Sequence, residues 1–141
     1  GIFIGKNTSV INLQGKTMIP GLIDAHSHFG KTACNLAQGF DISPPPFGTV
    51  KNIPELLDST EDNTIKNPEA GKTISGFGYS DIDLAEGRHP TRFELDSVSS
   101  EHPIVLTHFS NHIAVGNSLA IEIMNYQDPA SIPAGGIVDK F

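Results

Sequence analysis

A Pro20-Gly21 break, the short apolar run Leu22-Ile23-Asp24-Ala25 and then His26-Ser27-His28 constrain this chain more than any other stretch of it. An apolar run of this length bounded by a turn signal reads as a strand, here Leu22 to His28. Side chains alternate across a strand, so Leu22, Asp24, His26 and His28 share one face, and the two histidines present imidazoles to one point. Two imidazoles are half of a metal site, since a catalytic zinc takes about three protein ligands and a water. A bare His-x-His pair also fits a solvated loop; its place at the polar end of an apolar run favours metal ligation. The opposite face carries Ile23, Ala25 and Ser27, small enough for a helix to pack closely, as on the outside of a parallel barrel.

Length limits what can be built around that strand. With 141 residues the chain suffices for one ordinary domain, whereas a complete α/β barrel takes about 250. Ten prolines and fourteen glycines predict much loop. A formal charge of −7 opposes binding to nucleic acid, which draws on clustered lysine and arginine. No apolar run approaches the roughly 18 residues that span a bilayer, and no basic start with an apolar core marks a leader, although the chain begins at Gly1 rather than Met. The single cysteine, Cys34, excludes an internal disulfide, suits a reducing, cytoplasmic compartment, and reads as a half-buried side chain on a short helix.

Residues 1–19 read as short strands at Gly1 to Ile4, Thr8 to Leu13 and Lys16 to Ile19, with a turn at Gln14-Gly15: the edge of a small β module. Thr32 to Gln38 reads as a short helix, and Gly39 to Val50, with Pro44-Pro45-Pro46, as an extended loop. Ile53 to Ile65 has Pro54 in its first turn and apolar residues at helical spacing, and Asn67-Pro68 ends it. Lys72 to Tyr79 reads as a glycine-interrupted strand. Thr91-Arg92-Phe93-Glu94 has the spacing of a capping box for a helix through Val98. Pro103 to His108 reads as a strand centred on Ile104-Val105-Leu106, and Asn117 caps a helix from Ser118 to Met124. Strands alternating with helices predict a parallel α/β sheet. His89 and His102 each precede a proline and read as loop residues. His108 and His112 are four apart, but the apolar run before His108 argues for a strand rather than a two-histidine helix.

Three blocks together resemble the amidohydrolase superfamily, and within it amidohydrolase family 3, the N-substituted formamide deformylase-like branch. They are Gly15 through His26-Ser27-His28-Phe29, then Gly87-Arg88-His89-Pro90-Thr91-Arg92-Phe93-Glu94-Leu95-Asp96, then His102 through Ser110-Asn111-His112 to Asn117-Ser118-Leu119-Ala120. The resemblance implies a metal-dependent hydrolase of carbon–nitrogen, amide-type bonds, built as a (β/α)₈ barrel beside a small β-sandwich. On it, residues 1–19 belong to the sandwich and 20–141 to the first strands and helices of the barrel. It implies His26 and His28 as ligands of a divalent metal, zinc above others, and His112 as a substrate contact. Asp24, one layer deeper on the ligand face, reads as a buried carboxylate supporting the ligands or the core. The departures are Asn111, where a glycine is common, and Gly116, where a larger apolar residue is usual. The acidic bridge, two later histidines and the aspartate that complete such a site have no counterpart before Phe141, so the resemblance implies an N-terminal segment, inactive alone. An uncovered sheet edge then predicts association into a homo-oligomer. The rival readings are a non-catalytic metal-binding or interaction module derived from this fold, and a complete small hydrolase joining His26, His28 and either His108 or His112 at one metal.

Overall fold

Two consecutive strand–helix–strand units organise the chain, whose structure, a computed structural model, describes residues 3–67 and 69–139. After helix α1 (Phe29–Gln38) come β1 (Phe40–Asp41), α2 (Ile53–Ile65), β2 (Ile74–Tyr79), α3 (Arg92–Val98), β3 (Ile104–His108), β4 (Ala114–Gly116) and α4 (Ser118–Ile123). The sheet order is β1-β2-β3-β4. β1 and β3 flank β2 in parallel, with Phe40 opposite Gly76 and Ile74 opposite Ile104, and β4 folds back antiparallel on β3. The mixed α/β architecture expected from the alternation is present, with β4 as an unexpected antiparallel addition.

Helices α2, α3 and α4 each start where a side chain satisfies a free amide of the first turn, whereas α1 has no side-chain cap. Asn52 accepts from the Glu55 amide, Pro54 occupies the first turn, and α2 buries Ile53, Leu56 and Thr60, three and four residues apart. At α3 the capping box is complete: Thr91 accepts from the Glu94 amide and the Glu94 carboxylate accepts from the Thr91 amide. Arg88 clamps Glu94 with both guanidinium arms, at 2.8 and 3.0 Å. The core forms where α2 and α3 cover the sheet; Leu56, Leu95, Ile104 and Leu106 are fully buried in it. Among the described residues no helix is long and apolar enough to cross a membrane.

Asn117 holds the second half together. Its Oδ1 accepts from the amides of Ile104 and Ala120, each at 3.0 Å. Its Nδ2 donates to the carbonyls of Ser99 at 3.0 Å and His102 at 2.9 Å. One fully buried amide thereby fixes the end of α3, the start of β3 and the start of α4.

The N-terminal quarter departs from expectation. The Gln14-Gly15 turn forms, with φ of 52° and 81° and the Lys16 amide donating to the Leu13 carbonyl. The strands expected at Thr8 to Leu13, Lys16 to Ile19 and Leu22 to His28 do not form, and every residue from 3 to 34 is exposed. A strand needs a neighbour for its backbone donors and acceptors, and none lies beside these segments among the described residues. Gly1, Ile2 and the helix-stopping Pro68 lie outside the described residues. Helix α1 begins at Phe29, earlier than expected, and buries none of its residues, so Cys34 is exposed rather than half-buried. The expected loop from Gly39 to Val50 contributes strand β1 and the buried Ile42 and Val50; a two-residue strand leaves no periodic trace.

Replacing Asn117 with Ala strands two amides and two carbonyls, and is expected to cost about 3 kcal/mol, a fall in Tm of about 10 °C by calorimetry. Glu94 gives a pH signature. Hydrogen bonds from Arg88, then from Thr91, hold its carboxyl down at about 2, against an ordinary value of 4.5. The folded pKa is depressed, so its contribution is present in full above 4.5 and is lost as pH falls through about 2. Glu94→Gln is therefore expected to lower stability by about 1 kcal/mol at pH 7, the pair being partly exposed. Thermal melts of the variant and wild type should converge as the pH falls toward 2.

Candidate functional site

His26 and His28 do converge, although not from a strand. The segment bends at Ala25-His26, and the two Nε2 atoms stand 2.7 Å apart with ring centroids separated by 4.7 Å. At that distance one nitrogen holds a proton that the other accepts. Ligation of one tetrahedral ion at about 2.05 Å would set the two nitrogens about 3.3 Å apart, reached by a small rotation of either ring. The donor set thus fits two positions around a divalent cation. Among the described residues no group of three or more histidines, cysteines or carboxylates is placed to hold a metal ion. His28 is also the N-cap residue of α1, its carbonyl accepting from the Thr32 amide at 2.8 Å.

Asp24 is not the buried carboxylate expected one layer deeper. It is exposed, and its Oδ1 accepts from the His26 backbone amide at 3.0 Å. Because the segment is a bend, the two-residue alternation that would bury Asp24 does not operate; the carboxylate instead sets the turn that carries His26. His112 lies exposed on the connection between β3 and β4, its amide donating to Ser110 Oγ at 3.3 Å. The structure gives no contact between His112 and the His26–His28 pair.

A second concentration of chemistry sits at the C-terminal ends of β2 and β3, the position where open α/β sheets place their ligands. His108, the last residue of β3, is 6% exposed. Its Nε2 meets Asp81 Oδ1 at 3.1 Å and its Nδ1 meets Ser110 Oγ at 2.8 Å. A carboxylate only accepts, so the proton sits on Nε2 and Nδ1 accepts from the serine hydroxyl. The other oxygen of Asp81 faces His89 Nε2 at 3.8 Å. The Tyr79 hydroxyl, 3.0 Å from His89 Nδ1, donates to it: burial, and then the charge of Asp81, push the phenol's pKa upward and keep it protonated. Asp81 therefore orients two imidazoles that sequence reasoning had treated as an ordinary strand end and a loop residue. The available signal was Tyr79-Ser80-Asp81, a polar run at the end of a strand.

Beside this network lies a cavity of about 330 Å³. Thr32 and Asn35 of α1 form one wall, Phe77 and Gly78 of β2 another, and His108 and Phe109 a third. Ser80 also lines it, and its Oγ is buried with no hydrogen-bond partner.

Comparison with known proteins agrees with this picture of a hydrolase-type sheet. The sequence profile described as the amidohydrolase family matches residues 9–140. The chain is 30% identical over 134 residues to an N-substituted formamide deformylase of Arthrobacter pascens, covering 95% of this chain and 24% of that protein. It is likewise 30% identical over 136 residues to the protein LONG AFTER FAR-RED 3 of Arabidopsis thaliana, covering 96% of this chain and 22% of the relative. The chain thus spans about a quarter of the length of the curated relatives it matches. Among solved structures, a metal-dependent hydrolase from Pyrococcus furiosus aligns with a TM-score of 0.50 and 30% identity over 75% of this chain and 19% of that one. One from Pyrococcus horikoshii OT3 aligns with a TM-score of 0.50 and 27% identity over 72% of this chain and 18% of the other. Matched almost from end to end by the family profile, this chain belongs to the amidohydrolase family.

Proposed function

We propose that these residues are the metal-binding start of a metal-dependent hydrolase that cleaves carbon–nitrogen bonds of small amide-type substrates. In this reading His26 and His28 supply two imidazole ligands to a divalent cation, with zinc the ion that their nitrogen chemistry suits. The observation that carries it is the approach of the two Nε2 atoms to 2.7 Å at the start of α1. Support also comes from the metal-dependent hydrolases to which the chain is similar in structure.

When bound, a divalent cation here supplies polarisation of a carbonyl oxygen and activation of water. The chain's own residues do the rest. Asp24 fixes the turn that aims His26, and His28 anchors the pair to the first turn of α1. His112, exposed beyond β3, is the proposed substrate contact, and its position depends on Ser110 holding its amide. The parallel strands β1, β2 and β3 are, in this proposal, part of a (β/α)₈ barrel, with residues 1–19 part of a small β-sandwich. Such an enzyme takes neither nucleic acid nor membrane as a partner, works in the cytoplasm, and pairs its uncovered surfaces in a homo-oligomer.

One observation favours a second reading. Two imidazoles with no third ligand placed among the described residues suit a non-catalytic metal-binding or interaction module derived from the same fold. Metal titration and catalysis separate the two. Calorimetric titration of the chain with Zn²⁺ is expected to show one binding event, weakened at least about tenfold, or about 1.4 kcal/mol, by His26→Ala. Equal affinity in the variant removes His26 as a ligand. In a protein of the relatives' full length, His26→Ala is expected to abolish amide hydrolysis, and wild-type protein that binds the ion without hydrolysing any amide supports the module.

A further inference from the structure

The turn that follows β3 carries a serine aimed back at a histidine. His108 ends the strand, and the Asn111 amide donates to the His108 carbonyl at 2.9 Å, closing a turn in which Ser110 stands two residues beyond the ring. Asn111 takes a left-handed φ of 59°, which asparagine tolerates better than most residues. Ser110 Oγ thereby comes to 2.8 Å from His108 Nδ1, while Asp81 Oδ1 stands 3.1 Å from the other ring nitrogen, Nε2.

The protons of this group can be placed. The Asp81 carboxylate has none to give, so Nε2 carries the hydrogen. The Ser110 backbone amide also points at Nδ1, at 3.3 Å, and an amide N–H cannot accept, so Nδ1 is a bare lone pair facing two donors. A base held in one tautomer by a carboxylate, with a hydroxyl in hydrogen-bond reach, is the arrangement that activates a nucleophile. Of the two lone pairs on Ser110 Oγ, one receives the His112 amide at 3.3 Å and the other is left for bond formation. The base is shielded, His108 being buried, whereas Ser110 is partly exposed and within reach of a reactant. The Asn111 carboxamide has two N–H donors and commits one to the Phe109 carbonyl at 3.2 Å. Its second donor is open to an oxygen beside Ser110.

We infer that Ser110, His108 and Asp81 form a second reactive centre, independent of metal, that accepts acyl groups from small esters and passes them to water. Ser110 Oγ attacks the ester carbonyl carbon, and its proton passes to His108 Nδ1. The carbonyl π pair moves onto the oxygen, where the free Asn111 Nδ2–H meets it. As that pair returns, the bond from carbon to the leaving oxygen breaks, and the proton on His108 Nδ1 goes to the departing oxygen. This yields an alcohol or phenol and an acyl group esterified to Ser110. Water then repeats the sequence, releasing the carboxylic acid and restoring the hydroxyl. Asp81 is a positioning residue, fixing the tautomer and stabilising the imidazolium of the intermediate. Esters are the class, rather than amides, because an alkoxide or phenoxide leaves with less help than an amine. The centre goes beyond the hydrolase reading above and uses neither His26 nor His28.

The chain is assayed with 4-nitrophenyl acetate in excess EDTA, so that the outcome does not depend on whether the histidine pair ligates an ion. The expected result is a burst of about one nitrophenolate per chain followed by slower turnover, with the acetyl group located on Ser110 by peptide mass spectrometry after an acid quench. Ser110→Ala and His108→Gln should each lower the rate at least about hundredfold. Asn111→Gly keeps the left-handed backbone and removes the donor, and should cost about tenfold. Asp81→Ala should lower kcat at least about tenfold with KM unchanged, and the His108 Nε2 proton resonance visible in the wild type should be lost. Amide NMR spectra verify the folding of each variant, and the position of the acetyl group is read on the wild type alone. An acetyl group found on another residue, a rate that Ser110→Ala leaves unchanged, or release of nitrophenolate no faster than in buffer overturns the inference.

Discussion

A single buried carboxamide determines how the C-terminal half of this chain is assembled. Asn117 uses both donors and both lone-pair positions on four backbone groups, so that one side chain sets where α3 stops, where β3 starts and where α4 begins. Such a residue has few substitutes, because Asp lacks the donors and Ser lacks the reach. Its consequence extends to the opposite end of β3. With Ile104 fixed and the strand in register against β2, His108 arrives opposite Tyr79, within hydrogen-bond range of Asp81.

The two concentrations of chemistry rest on two kinds of structure. One part, the histidine pair, rides on exposed chain ahead of the sheet; the other, the Asp81-centred group and the cavity, is built on strand ends held by the core. Helix α1 joins them, since it starts at His28 and is tied to β1 through the short Gly39 connection, whose amide donates to the Asn35 carbonyl. Asp81 contributes electrostatic order to the built part. It accepts from His108, faces His89, and helps to keep the Tyr79 phenol protonated, which aligns the proton positions of three rings around one carboxylate.

Where local chemistry decides structure, the sequence was sufficient to read it. The Thr91 to Glu94 capping box, the Asn52 and Asn117 caps, Pro54 in a first turn and the Ile104 to Leu106 run all specify elements found at those places, because caps and periodic burial act over a few residues. The convergence of His26 and His28 was also legible, but through the wrong geometry. A spacing of two brings rings together in a tight bend as well as on a strand, so the pattern identified the pair without identifying its backbone. Asp24 shows the cost of that ambiguity: alternation would have buried it, and a bend leaves it solvated. What could not be read was whatever depends on distant partners. The group joining His108, Asp81, His89 and Tyr79 spans separate loops and strand ends, and no spacing rule links position 81 to position 108. Strand β1 is two residues long and exists only because β2 lies beside it.

The junction between the first two strands has an implication for the chain's history. Gly78 adopts φ of 96°, and a Cβ built there would collide with Ser43 Oγ and press on Asp41 Oδ1 at 3.4 Å. The positive φ strains any side chain placed there, whereas the Ser43 hydroxyl, the end of a rotatable side chain, can turn aside. Mutational drift at that codon is therefore disfavoured by backbone geometry before any question of chemistry arises.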